Sequence, residues 1–202
     1  TGQYTEGLDC ARRALEIAAR EQDPYAEVLA RTSMGRNLLL LHRNEEAVAC
    51  MSVALELVDR NGYVSVKANL AGAMTTALTR TGNAHRAVSL VEACLEEELQ
   101  LRSGRADVAY LFVGYAEALV RCGSVERGLS TVDQAMAIAR DIRNPWLVVC
   151  CLGLRARLLA ELAPEAPEIS RDLEEQQRIC QQFGVVAWSM VHMASEPLKQ
   201  SA

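Results

Sequence analysis

Three histidines, seven cysteines and two acidic runs are the residues of this 202-residue chain that could do chemistry. A metal site needs His, Cys or carboxylate ligands at set spacings, such as two cysteines two residues apart. No CxxC occurs, and His42, His85 and His192 have no carboxylate or thiolate partner at such spacing. His42 and His85 fall in or beside turns between helices, where a polar residue is expected. Serine or cysteine nucleophiles need an adjacent base, and none is offered. No phosphate loop, dinucleotide fingerprint or nucleophile elbow is present. Glu96-Glu97-Glu98 and Asp172-Leu173-Glu174-Glu175 read as solvated helix faces. The sequence therefore predicts no catalytic residue, no metal and no cofactor, so that function is expected to rest on recognition, with an α-helical enzyme as the least favoured alternative.

The elements that would position a recognition surface follow from a repeat. Turn anchors at Gly2, His42, Gly82 and Gly123 are separated by 40, 40 and 41 residues. Each is followed by a small residue (Gly7, Ala47, Ala87, Gly128) and then by a small-apolar pair such as Ala14-Leu15, Ala54-Leu55, Cys94-Leu95 or Ala135-Met136. A fixed period in this range marks a stacked repeat protein. Between anchors the apolar residues recur at helical spacing, as at positions 8, 11, 14, 15 and 18. The readings are helices over 5–21, 25–41, 64–80, 84–101, 106–121, 125–142, 144–162, 169–183 and 185–195. A further helix is capped by Asn44 and runs to about Arg60. Asp23-Pro24, Asn61-Gly62 and Gly184 are stop signals. No alternating strand pattern of useful length appears, so the fold class is all-α.

Composition agrees and excludes other classes. The chain is 50% hydrophobic, 4% aromatic and 23% charged, which suits packed helices and is too apolar for disorder. A net charge of −5 and a pI near 5.3 argue against direct nucleic-acid contact. No apolar run reaches the roughly 18 residues a membrane span requires, so no membrane partner is expected. The repeat accounts for cysteines: Cys10 and Cys50 share a place in successive copies, and Cys94 stands where other copies have Ala. Reduced Cys packs as a small hydrophobe, and a reducing, cytoplasmic setting is expected.

The residues at fixed places resemble the tetratricopeptide repeat. Small residues needed for close helix approach are supplied by Gly35, Ala47 and Ala54, then Thr75, Ala87 and Cys94, then Ala116, Gly128 and Ala135. The usual unit is about 34 residues, whereas these run to 40 or 41. Ala71 and Met74 stand where the family often has Trp and Leu. Longer units with second helices such as Ala14–Arg20 and Ala135–Arg140 are similar to the helical sensor domains of MalT-type and LuxR-type bacterial regulators. The resemblance implies a right-handed α-solenoid of about ten helices over 1–198, with 199–202 as a tail. It also implies a module that senses a protein, a peptide or a small-molecule inducer beside ATPase and output domains. Opening at a repeat turn and closing on an unpaired helix, the chain is expected to be a piece of a longer protein. Its exposed terminal helices would offer a surface for homodimerisation.

In the repeat register the first helix of each pair faces the concave groove. The groove residues are then Arg36, Leu39, Asn69, Thr76, Arg80, Tyr110, Glu117 and Arg121, a mixture of apolar, hydroxyl and ionic groups suited to a peptide or partner helix. Exposed arginines also serve merely to solubilise a surface. The family's clamp for chaperone tails uses Lys and Asn, but the matching positions carry Thr32, Arg36, Ala73, Tyr110 and Gly114. A co-chaperone role is not expected.

Overall fold

The structure, a computed structural model, describes residues 2–101 and 104–184. Among them are nine α-helices and no strand: α1 (Gly2–Arg20), α2 (Pro24–Leu40), α3 (Asn44–Asn61), α4 (Val64–Arg80), α5 (Ala84–Leu101), α6 (Arg105–Arg121), α7 (Val125–Asp141), α8 (Pro145–Leu162) and α9 (Pro167–Phe183). The expected helix over 185–195 and the tail lie outside the described residues.

The turns explain the repeat. Gln22, His42, Gly62, Gly82, Gly123 and Arg143 all have positive φ, between 53° and 83°. These left-handed residues fall 20 apart from Gln22 to Gly82, and 20 apart again from Gly123 to Arg143. The true beat is thus one helix rather than one hairpin. After each, the chain closes a Schellman-type bond across the helix end. Arg43 N–H donates to Leu38 (2.9 Å), Tyr63 to Val58 (3.1 Å), Asn83 to Leu78 (2.8 Å), Ser124 to Leu119 (2.9 Å) and Asn144 to Ala139 (2.9 Å). Pro24 and Pro145 then start α2 and α8, where the Asp23 and Asn144 side chains accept from first-turn amides.

Two turn expectations are corrected. Gly2 is the first residue of α1 rather than a turn. Asn44 is not a cap: Arg43 holds the N-cap position, and Asn44 is already helical and buried, its Oδ1 without a hydrogen-bond partner. The bond that closes the turn at Arg43 uses up the linker one residue sooner than the Asn signal implied.

The even-numbered helices α2, α4, α6 and α8 pack side by side, and each odd-numbered helix packs on its chain neighbours. The result is a helical-repeat solenoid with an inner layer of even helices. Small residues set the spacing. A Cβ on Gly35 would run into the Met51 side chain, and one on Gly128 would lie 2.5 Å from Val120 Cγ2 and 2.9 Å from the Ala116 carbonyl. Ala47, Ala54, Ala87, Ala116 and Ala135 are fully buried at the equivalent crossings. Each interface is filled by larger side chains such as Met51, Leu70, Met74, Leu111, Leu152 and Leu158. Ion pairs fasten neighbouring repeats along the outer side: Arg127 with Glu92, and Arg140 with Glu175.

Two further expectations change. Cys10 is exposed, while Cys50, Cys94, Cys150 and Cys151 are buried; α1 packs chiefly on α2, whereas Cys50 on α3 lies over the Arg31 carbonyl. Asp172 is not solvated: it is buried and held by Arg155 through two bonds of 2.7 and 2.6 Å. Arg155 also reaches Asp133, so one guanidinium clamps α7, α8 and α9.

Candidate ligand groove on the inner helices

The inner layer carries a cavity of about 290 Å³, and all four even-numbered helices contribute to it. From α2 come Arg36, Leu39 and Leu40; from α4, Asn69 and Thr76; from α6, Asp107, Tyr110, Val113 and Gly114; from α8, Trp146 and Leu147. Its floor is buried Leu39, Val113 and Leu147, whereas Trp146 at the rim is 39% exposed.

Two chains of contact cross it. Arg36 Nη2 donates to Asn69 Oδ1 at 2.6 Å, and Asn69 Nδ2 donates in turn to Asp107 Oδ1 at 3.1 Å. This polar rail ties α2, α4 and α6. The Arg36 guanidinium also lies 4.9 Å from the centre of the Tyr110 ring, a cation–π distance. Tyr110 then stacks on Trp146, with centroids 6.1 Å apart and planes at 21°. Burial pushes the Tyr110 phenol up despite the nearby cation of Arg36. Two glycines make the arrangement possible. A Cβ on Gly72 would lie 2.6 Å from Tyr110 Cδ1, and one on Gly114 would lie 3.0 Å from the Gly72 carbonyl, so α4 and α6 touch at the cavity wall.

Of the groove residues expected from sequence, Arg36, Leu39, Asn69, Thr76 and Tyr110 come together here. The Thr76 hydroxyl turns back to the Gly72 carbonyl at 3.4 Å, so it offers shape more than hydrogen bonding. Arg80, Glu117 and Arg121 lie outside the lining. Arg80 reaches the Leu39 carbonyl at 3.4 Å. Glu117 is buried against Arg157 at 2.8 Å, with Arg157 also within 3.8 Å of Glu161. Burial alone would push the Glu117 carboxyl up, but Arg157, Arg80 and Arg121 outweigh it and hold the group below the ordinary carboxylate range. For Arg121, burial and Arg157 outweigh Glu117 and Glu161, and its pKa falls. These charges knit α4, α6 and α8 together beside the cavity.

Sequence reasoning missed Asp107 and Trp146. Trp146 follows the Asn144-Pro145 helix start, and first-turn residues of the next repeat were not projected onto the groove. As for chemistry, His42 and His85 are exposed, and His192 is outside the described residues. Among the described residues no group of three or more His, Cys, Asp or Glu could hold a metal, and no helix is long and apolar enough to cross a membrane. The arrangement combines an apolar floor, an aromatic rim and two fixed charges.

What the fold and site define is a tetratricopeptide-like helical solenoid with a cavity on its inner layer. No protein-family model matches the sequence, and no curated protein does. Among solved structures, the chain is similar to PlcR of Bacillus thuringiensis, crystallised in complex with the peptide PapR7 and DNA. The TM-score is 0.73 at 16% sequence identity, and the match covers 97% of this chain and 69% of that one. At that identity the likeness speaks for the fold.

Proposed function

We propose that this chain is a non-catalytic, peptide-binding sensor module of a cytoplasmic bacterial transcriptional or signalling regulator, of the MalT/LuxR kind suggested by its long repeats. The observation that carries the reading is the cavity shared by four consecutive inner helices, with Arg36, Leu39, Asn69, Thr76 and Tyr110 in its wall. A ligand held there touches α2, α4, α6 and α8 at once, so binding changes the stacking of repeats, which is what a sensor must transmit. The structural neighbour was solved with a peptide and with DNA, which supports a peptide partner; a net charge of −5 leaves DNA contact to other parts of a parent protein.

The open side of the cavity, rather than its size, favours a peptide over a free inducer. Small-molecule sites run from about 300 to 1,000 Å³ and enclose most of their ligand. A cavity of about 290 Å³ open at the rim of Trp146 suits one or two side chains of a chain lying along the groove.

Selection from a displayed random-peptide library, followed by hydrogen exchange on the complex, tests this. The expected result is a family of related peptides that slow exchange in α4, in α6 and at the start of α8. Failure to select any peptide, or protection confined to the odd-numbered helices, would overturn it.

A further inference from the structure

The two charges in the cavity are not equally available. Arg36 spends Nη2 on the Asn69 side chain and backbone carbonyl and covers Tyr110 with its face. Its Nε is buried and without a hydrogen-bond partner. Asp107 is different. Its Oδ1 accepts one hydrogen bond from the neutral Asn69 amide, and among the described residues no cation forms an ion pair with it. A carboxylate can accept about four hydrogen bonds, so Asp107 keeps most of its capacity at a partly open wall. Across the same cavity stands Trp146, whose indole is 39% exposed and has Tyr110 stacked on it.

A carboxylate with open lone pairs beside an exposed indole is complementary to a cation with a flat or apolar stem. The carboxylate meets the charge, the ring meets the face or the methylenes, and Leu39, Val113 and Leu147 receive the stem. An acidic group would instead face an unpaired carboxylate, beside an Arg36 that already spends Nη2 on Asn69 and its face on Tyr110.

Resting on the peptide-binding reading, we propose that the cavity selects a basic side chain, Arg or Lys, of the bound peptide, with Asp107 as its counter-charge and Trp146 as its shelf. The net charge of −5 would draw such a peptide in at low salt. Asp107 is then the specificity-determining residue of the groove.

The test uses short fluorescent peptides, acetylated and amidated at their ends, in which one position between two leucines is Arg, Lys, Gln or Glu. Binding is read by fluorescence polarisation on the wild-type chain, Asp107→Asn and Trp146→Leu. Asp107→Asn keeps an oxygen for Asn69 and so preserves the rail. The wild type should bind the Arg and Lys peptides about tenfold more tightly than the Gln peptide, with Glu weakest. Asp107→Asn should bring Arg, Lys and Gln to within about twofold, with Gln binding unchanged. Trp146→Leu should weaken the Arg peptide more than the Gln peptide. Equal binding of Arg, Gln and Glu peptides, or a basic preference that survives Asp107→Asn, would overturn the proposal while leaving peptide binding intact. A preference that appears only when the peptide has a free amino terminus would also overturn it, because the cation would be the terminus. Binding of none of the peptides would overturn this proposal, whereas the library selection decides the broader reading on its own.

Discussion

Replacing Glu117 by Gln removes one negative charge from a place that holds three positive ones. Glu117 is 5% exposed, its carboxylate is 2.8 Å from Arg157 Nη2, and Arg157 is itself almost fully buried. Arg80 and Arg121 also act on it. Breaking a buried pair by deleting one partner costs about 3–5 kcal/mol, because the other charge is left desolvated and uncompensated. The upper half of that range is expected, since in Glu117→Gln the repulsion between Arg157 and Arg121 is no longer offset by a central anion. At about 2–4 °C per kcal/mol for a chain of this size, the melting temperature should fall by roughly 8–20 °C. Replacing the pair together, Glu117→Leu with Arg157→Leu, should recover most of the loss, because a buried pair exchanged for apolar side chains is often neutral.

The assay is urea unfolding followed by circular dichroism at 222 nm, repeated across pH. The sign follows from the depressed carboxyl pKa. The stability that Glu117 contributes is fully present above its unfolded value, about 4.3, and is lost as the pH falls below that through the lower folded value. Wild type should therefore lose stability on acidification more steeply than Glu117→Gln. A loss under about 1 kcal/mol for Glu117→Gln, or a double variant less stable than the single one, would contradict a buried ion pair held by three cations.

Two other variants probe the spacing and fastening of the repeats. Gly128→Ala should cost about 1–3 kcal/mol in urea unfolding, since the new Cβ meets the Ala116 backbone carbonyl. Gly35→Ala meets only the flexible Met51 side chain and gains helix propensity, so its effect should stay within about 1 kcal/mol; equal costs would contradict the packing account. Buried Tyr115 donates to Glu92 at 2.7 Å and accepts from Arg127 at 2.5 Å. Its phenol is pushed up to about 12 by burial and by its bond to Glu92. Ultraviolet titration should show a phenol ionising near that value and lost in Tyr115→Phe. Because the folded pKa is raised, the contribution of this network is present below about pH 10, the ordinary tyrosine value, and fades above it.

Much of the fold could be read from residue types because the repeat sets helix and turn together. Asn61-Gly62, Gly184, Asp23-Pro24 and Asn144-Pro145 marked their boundaries, and the small residues from Gly35 to Ala135 marked where helices touch. The halved period escaped notice because Gln22 and Arg143 adopt the left-handed conformation without being glycine; their turns are held by the backbone bond that follows rather than by residue preference. The register put Arg36, Leu39, Asn69, Thr76 and Tyr110 on one face, and all five line the cavity, since helical phase is a local property. It could not say that Arg80, Glu117 and Arg121 belong to an ionic cluster, because that depends on Arg157 two helices further on. Nor could it give Asp172 its partner: the acid looked solvated until α8 brought Arg155 against it.

Peptide binding as proposed puts a side chain into the cavity on the inner helices. Leu40 lines that cavity and is only half-buried, so Leu40→Trp fills the space without opening the core. Calorimetric titration of a library-selected peptide into wild type and Leu40→Trp, matched for helicity, is the most direct test. The expected result is at least about a tenfold rise in Kd, equivalent to about 1.4 kcal/mol. An unchanged Kd with the cavity filled would show that the peptide binds elsewhere and would contradict it.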